Sequence, residues 1–277
     1  MRRRYLFYLC AAIIGGIYFS FMTFNPVDNF YPLYETVFQL SGSEAEFPLG
    51  FSYSELVGFL LIMFPLFIFE IYAGLMVYKY FCIASVYIFS RYTNRKGWYR
   101  KEAVRLYLLV LGFMLVMILS MIITVYLRGK YIIYDSEGFL LLFYHILIWS
   151  LYTYIMTMGI NLLSMYFTSE KGYLIVSAYQ IICLLWIYIA AQLFYKSEGT
   201  VSFSEMVLLN PIAHLVLQWN GSCLGILNNL LSSNYLSSHL ETTIFVFLIL
   251  ALIVTFIGEK VVIHKDILVS NQETGVM

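Results

Sequence analysis

The chain has 277 residues, of which 61% are apolar and 12% charged, against roughly 45–50% and 25% in a soluble domain. Sixteen basic and sixteen acidic residues cancel, so net charge points to no nucleic acid or acidic partner. That balance excludes an ordinary water-soluble domain and fits a polytopic membrane protein.

A helix needs about 20 apolar residues to cross the hydrocarbon layer, and six runs qualify. The first, 5–24, follows Arg2, Arg3 and Arg4. It has no small-x-small exit and is followed by more apolar runs, so it reads as a retained span, not a signal peptide. Residues 25–55 then carry Asp28, Glu35, Glu44, Glu46 and Glu55 with no basic residue. The second run, 56–80, contains Pro65, expected to bend it, and Glu70. A basic, aromatic loop over 83–103 leads to the third run, 104–127. The fourth, 139–167, is long enough to tilt or protrude, and the fifth covers 173–195. Residues 196–239 form a second loop whose part from Phe203 to Trp219 is too apolar to lie free in water. There Pro211 predicts a short interfacial helix or a hairpin dipping into the membrane under protein cover. The sixth run is 240–258. The expectation is an all-α fold of six transmembrane helices in a single domain over 1–277. Twenty-five Tyr and twenty-three Phe suit repeated passage through the headgroup region, where amphipathic rings settle.

Orientation follows from Lys and Arg. With six crossings, thirteen of the sixteen basic residues fall on one side, and only Arg128, Lys130 and Lys196 fall on the other. That asymmetry places both termini in the cytoplasm and the 25–55 and 196–239 loops outside.

The chemistry the chain lacks is informative. It has no G-x-x-x-x-G-K-[ST], no H-E-x-x-H and no G-x-S-x-G, so no resident nucleotide loop, zinc-protease helix or serine nucleophile elbow is expected. Cys10, Cys82, Cys183 and Cys223 have no paired spacing, and His145, His214, His239 and His264 lie far apart; neither metal sites nor disulfides are expected. His145, Asn161, Gln180 and Gln192 read as hydrogen-bonding groups between helices. Glu70 costs roughly 2.5–3.5 kcal/mol if central and unpaired. One reading makes it a structural partner of a basic residue in the 83–103 loop or of a tyrosine; the other makes it a gate or substrate contact.

The segment Ser90-Arg-Tyr-Thr-Asn-Arg-Lys-Gly-Trp-Tyr-Arg-Lys101 mixes cations with rings. It reads either as a positive-inside anchor or as a docking element, since Arg and aromatic residues dominate binding hot spots. With the six-span layout, the acidic Glu70 and the Leu209-Asn210-Pro211 sequence before the last span, the chain resembles the type-2 ABC exporter permeases. It is most like the small Gram-positive subunits that work beside a separate ATPase. The resemblance implies that 83–103 is the coupling element. Arg91, Arg95, Lys96, Trp98 and Tyr99 would then meet the ATPase, with Asn210, Pro211 and Trp219 on an external interfacial helix. It further implies a second permease subunit, identical or related, and amphipathic substrates such as antimicrobial or cytolytic peptides. The setting is a bacterial plasma membrane. No cofactor or catalytic residue is expected in this chain, with ATP bound by the partner. A non-transporting immunity, sensor or scaffold protein is the competing reading, and an intramembrane enzyme is a third.

Overall fold

The computed structural model describes residues 2–24, 29–42, 53–87, 94–196, 202–231 and 235–264. Among them the protein is mostly helical, and five helical stretches are long and apolar enough to cross a membrane: Tyr53–Cys82, Arg95–Leu127, Ser136–Tyr166, Ser169–Lys196 and Leu240–His264. A shorter apolar helix, Leu6–Met22, lies within α1 (Arg2–Thr23). This is the architecture of a multi-pass membrane protein.

Helices dominate because an apolar run in lipid satisfies its backbone only by intrahelical hydrogen bonds. Their boundaries differ from the hydropathy reading in instructive ways. The second run divides into α3 (Tyr53–Ala73) and α4 (Met76–Tyr87). The helix continues through Pro65 and is interrupted at Gly74–Leu75. The break leaves α4 donors without partners in their own helix, and one of them, the Tyr78 backbone N–H, donates to Asn161 Oδ1 at 2.9 Å. Asn161 belongs to α6 (Ser136–Tyr166) and anchors its own amide on the Thr157 carbonyl at 2.8 Å. The third run begins early: α5 (Arg95–Leu127) takes in the second half of the basic loop as its opening turns, with Asn94 Oδ1 capping the Gly97 N–H at 2.8 Å.

The fold is not purely α. The segment after α1 forms β1 (Phe30–Pro32) and α2 (Leu33–Leu40), and β1 pairs in parallel with β2 (Tyr131–Ile133), which follows α5. Phe30 stacks on Tyr131 across this pair at 5.7 Å. The loop expected over 25–55 therefore contains structure that packs on the start of α6, where Gly138 meets Leu33 and Tyr34.

The core lies between the long helices. α1 packs most closely on α5, because Gly16 presents bare backbone to Met117 and Ser120 of α5. Ser120 Oγ sits between carbonyls of both helices, at 2.9 Å from Met117 and 3.4 Å from Ala12. Small residues allow this approach, and in lipid close packing with hydrogen bonding is what holds helices together. A side chain at Gly16 would overlap Met117 and Ser120. Gly16→Val is therefore expected to lower stability by about 1–3 kcal/mol, read as a lower melting temperature in detergent. An unchanged midpoint would show that this crossing does not limit stability.

Candidate functional site

Two polar arrangements stand out in an apolar bundle. One is at the basic end and the other is in the interior.

At the basic end, the opening of α5 carries Arg95, Lys96 and Arg100 and no acidic residue in its first turn. Cations there oppose the helix dipole, whose N-terminal end is already positive. The compensation comes from α10 (Leu240–His264). Glu259 accepts from Lys96 Nζ at 2.9 Å and from Arg100 Nε at 2.6 Å, with its side chain only 6% exposed. One carboxylate thus balances two cations and a helix start. Beneath this clamp Tyr99 is fully buried, its hydroxyl directed to Met158 Sδ at 3.5 Å. Gly258 admits the tyrosine ring, because a Cβ there would collide with its hydroxyl. Trp98 is half-buried and lies 6.1 Å from the Phe81 ring of α4.

The expected coupling residues are therefore sorted. Lys96 is exposed and ion-paired, and Lys101 beside it is exposed. Arg95 and Trp98 lie at the same end, each partly buried. Tyr99 is enclosed by this chain, so it supports the α5–α10 junction and cannot itself meet a partner. Arg91 lies outside the described residues.

In the interior, Glu70 of α3 is 1% exposed. Its Oε1 accepts from Gln180 Nε2 of α7 (Ser169–Lys196) at 2.9 Å. Its partner is an amide on a neighbouring span, neither a loop cation nor a tyrosine. Tyr152 of α6 lies beside the pair. Glu70 Oε2 has no hydrogen-bond partner among the described residues, and the Tyr152 hydroxyl has only the Gln180 amide near it. Buried polar atoms are nearly always paired, so this junction of three helices holds unused hydrogen-bonding capacity. Its enclosure removes Glu70 from any contact with a second subunit in this conformation. Of the other intramembrane polar residues, Asn161 and Gln180 do bridge helices, whereas His145 lies 5.0 Å from Trp149 of its own helix.

The third expected group lies in the segment after α7. This segment comprises α8 (Phe203–Val207), two 3-10 turns (Ala213–Leu215 and Leu217–Trp219) and α9 (Gly225–Asn228). It is an irregular stretch of short turns whose middle, from Ile212 to Ser222, is largely buried against the long helices. Asn210 Nδ2 donates to the Cys183 carbonyl at 2.7 Å, a point about 20 Å along α7 from its Lys196 end at the standard helical rise. Trp149 Nε1 donates to the Leu215 carbonyl at 3.1 Å, and Trp186 Nε1 to that of Met206 at 2.8 Å. Asn220 Nδ2 donates to the Val216 carbonyl at 2.9 Å. Side chains from α6, α7 and the stretch itself thus satisfy its irregular backbone. Pro211 is half-buried, and Trp219 is buried 5.9 Å from the Phe203 ring.

Sequence reasoning missed Glu241, at the start of α10, and its neighbours Cys223 and His239. Sixteen positions separate Cys223 from His239 with no metal-ligand spacing, so only the fold reveals their proximity. Comparison of the chain with known protein families, with curated proteins and with solved structures gives no match.

The Glu70–Gln180 contact makes a checkable claim. Gln180→Leu leaves a buried acceptor without its donor and is expected to destabilise the protein by about 1–3 kcal/mol. Glu70→Gln keeps an acceptor for Gln180 and should melt close to the parent. A loss in Glu70→Gln as large as that in Gln180→Leu would show that this hydrogen bond does not account for what the junction requires.

Proposed function

We propose that the chain is the membrane-spanning permease subunit of an ATP-driven exporter. In this reading it crosses a bacterial plasma membrane six times with both termini in the cytoplasm, and it pairs with a second permease subunit. It draws on separate ATPase chains that dock at the α5 start. The observation that carries the reading is the Lys96–Glu259–Arg100 clamp. It makes the exposed, basic opening of the longest helix continuous with α10.

A docking element works only if force applied to it reaches the spans. A flexible loop would absorb a push, whereas α5 continues from the basic surface across the bundle for 33 residues. The clamp and the buried Tyr99 extend that path to α10 and α6. ATP-driven closure must favour one arrangement of the spans over another, so the ATPase must hold the α5 start differently in its two states.

A surface groove between α1 and α5 supports an amphipathic substrate. It has a volume of about 410 Å³ and an almost wholly apolar lining that includes Leu9, Ala12, Leu108, Gly112 and Val116, with Arg105 at one end. An apolar moiety would lie along the groove and an anionic or polar group would face Arg105. The shape suits peptides or lipids with one charged end.

The test uses the two partly buried members of the basic end. Arg95→Ala with Trp98→Ala is expected to leave membrane insertion intact and to abolish both co-purification of a nucleotide-binding ATPase in mild detergent and export. Parent protein that purifies alone from its native host, with no ATPase attached, would favour the immunity or scaffold reading instead.

A further inference from the structure

At the Leu240 end of α10, three side chains of the kinds that bind soft divalent cations converge. The thiol of Cys223, a ring nitrogen of His239 and a carboxylate oxygen of Glu241 all lie within 4.8 Å of one another. None of them belongs to the clamp or to the Glu70–Gln180 pair.

The backbone fixes this convergence. Gly221 and His239 form an isolated parallel bridge. Gly221 N donates to the Ser238 carbonyl at 2.7 Å, and Leu240 N donates to the Gly221 carbonyl at 2.9 Å. Buried Asn220 reinforces the bridge by accepting from Ser238 Oγ at 2.8 Å. The turn carrying Cys223 and the strand-like approach to α10 are therefore held side by side.

Glu241 is also oriented from behind. Its Oε1 accepts from Ser222 Oγ at 2.6 Å and from the Tyr144 hydroxyl at 3.0 Å, and its Oε2 accepts from the Cys223 N–H at 3.1 Å. The Ser222 and Tyr144 donors use both lone pairs of Oε1, which leaves Oε2 as the oxygen that can face a metal. Outer contacts of this kind aim and tune metal ligands. Cys223 and His239 are exposed, so an ion can enter from water.

We propose that Cys223, His239 and Glu241 form a zinc-binding site. A thiolate, an imidazole and a carboxylate are the donors zinc selects, and three protein ligands with one water give its usual open tetrahedral arrangement. Zinc bonds of roughly 2.0–2.3 Å require the three atoms to close by about an ångström, within reach of side-chain rotation at two exposed residues. On binding, the Cys223 thiol releases its proton to solvent as the sulfur–zinc bond forms. His239 binds neutral, and Glu241 binds as the carboxylate. The ion then ties the Cys223 turn to the first turn of α10. The site does not depend on the transport reading.

The test uses the full-length chain in detergent, titrated with cobalt and then with zinc. One ion per chain is expected, with thiolate-to-cobalt charge-transfer absorption that zinc displaces. Cys223→Ser should abolish that absorption, and His239→Ala should weaken zinc binding, while Cys10→Ser should change neither. Tyr144→Phe, which removes an outer contact to Glu241, is expected to weaken zinc binding about ten-fold. Both primary substitutions are at exposed positions, so folding is preserved and can be checked by circular dichroism. Absorption that survives Cys223→Ser, or the absence of saturable binding by the parent, overturns the assignment.

Discussion

Helices surrounded by lipid have no hydrophobic reason to associate, because lipid tails are as apolar as leucine. This bundle is held by close packing and by a small number of polar ties, each worth about 0.6–2 kcal/mol where such bonds have been measured in membranes. The ties join different pairs of helices. Ser120 joins α1 to α5, Glu70 meets Gln180 between α3 and α7, and Asn161 repairs the break between α3 and α4. α10 depends on them most. Few of its residues are buried, and it is pinned by Glu241 at one end, by Thr255 to Tyr154 at 2.7 Å, and by Glu259 at the other.

The Glu259 clamp connects stability to the proposed function. Two cations at a helix start are electrostatically unfavourable by themselves. Supplied with a carboxylate from α10, they become the point where two spans are joined. The same charges thereby tie the basic end into a single unit. Both cations are open to water while Glu259 is buried, so the contact can be adjusted from the cation side. A protein docking on Lys96 or Arg100 would compete with Glu259 for the same cations.

The apolar runs were readable from the sequence because a membrane span needs a long uninterrupted stretch, and that requirement is visible residue by residue. That the segment around Asn210 and Pro211 packs against protein was readable, since Phe203 to Trp219 is too apolar for an open loop. Other features were hidden for specific reasons. The interruption at Gly74 has no proline to mark it, and the acceptor it needs, Asn161, lies 83 positions from the Tyr78 N–H it serves. Glu70 looked like a partner for cations or tyrosine. Its donor is Gln180, 110 positions on, and periodicity cannot pair two apolar helices across such a gap. Tyr99 looked like surface because it sits among charges, but the absence of a side chain at Gly258 lets it turn inward. The short β1–β2 pair left no signal, being three residues on each side.

The claim on which the rest stands is that Glu259 makes the start of α5 and the end of α10 a single mechanical unit. Spin labels at exposed Lys101 and His264, with their separation read by pulsed electron resonance in the parent and in Glu259→Ala, address it directly. The structure predicts a narrow distance distribution in the parent that broadens in the variant. Equally broad distributions in both would contradict it.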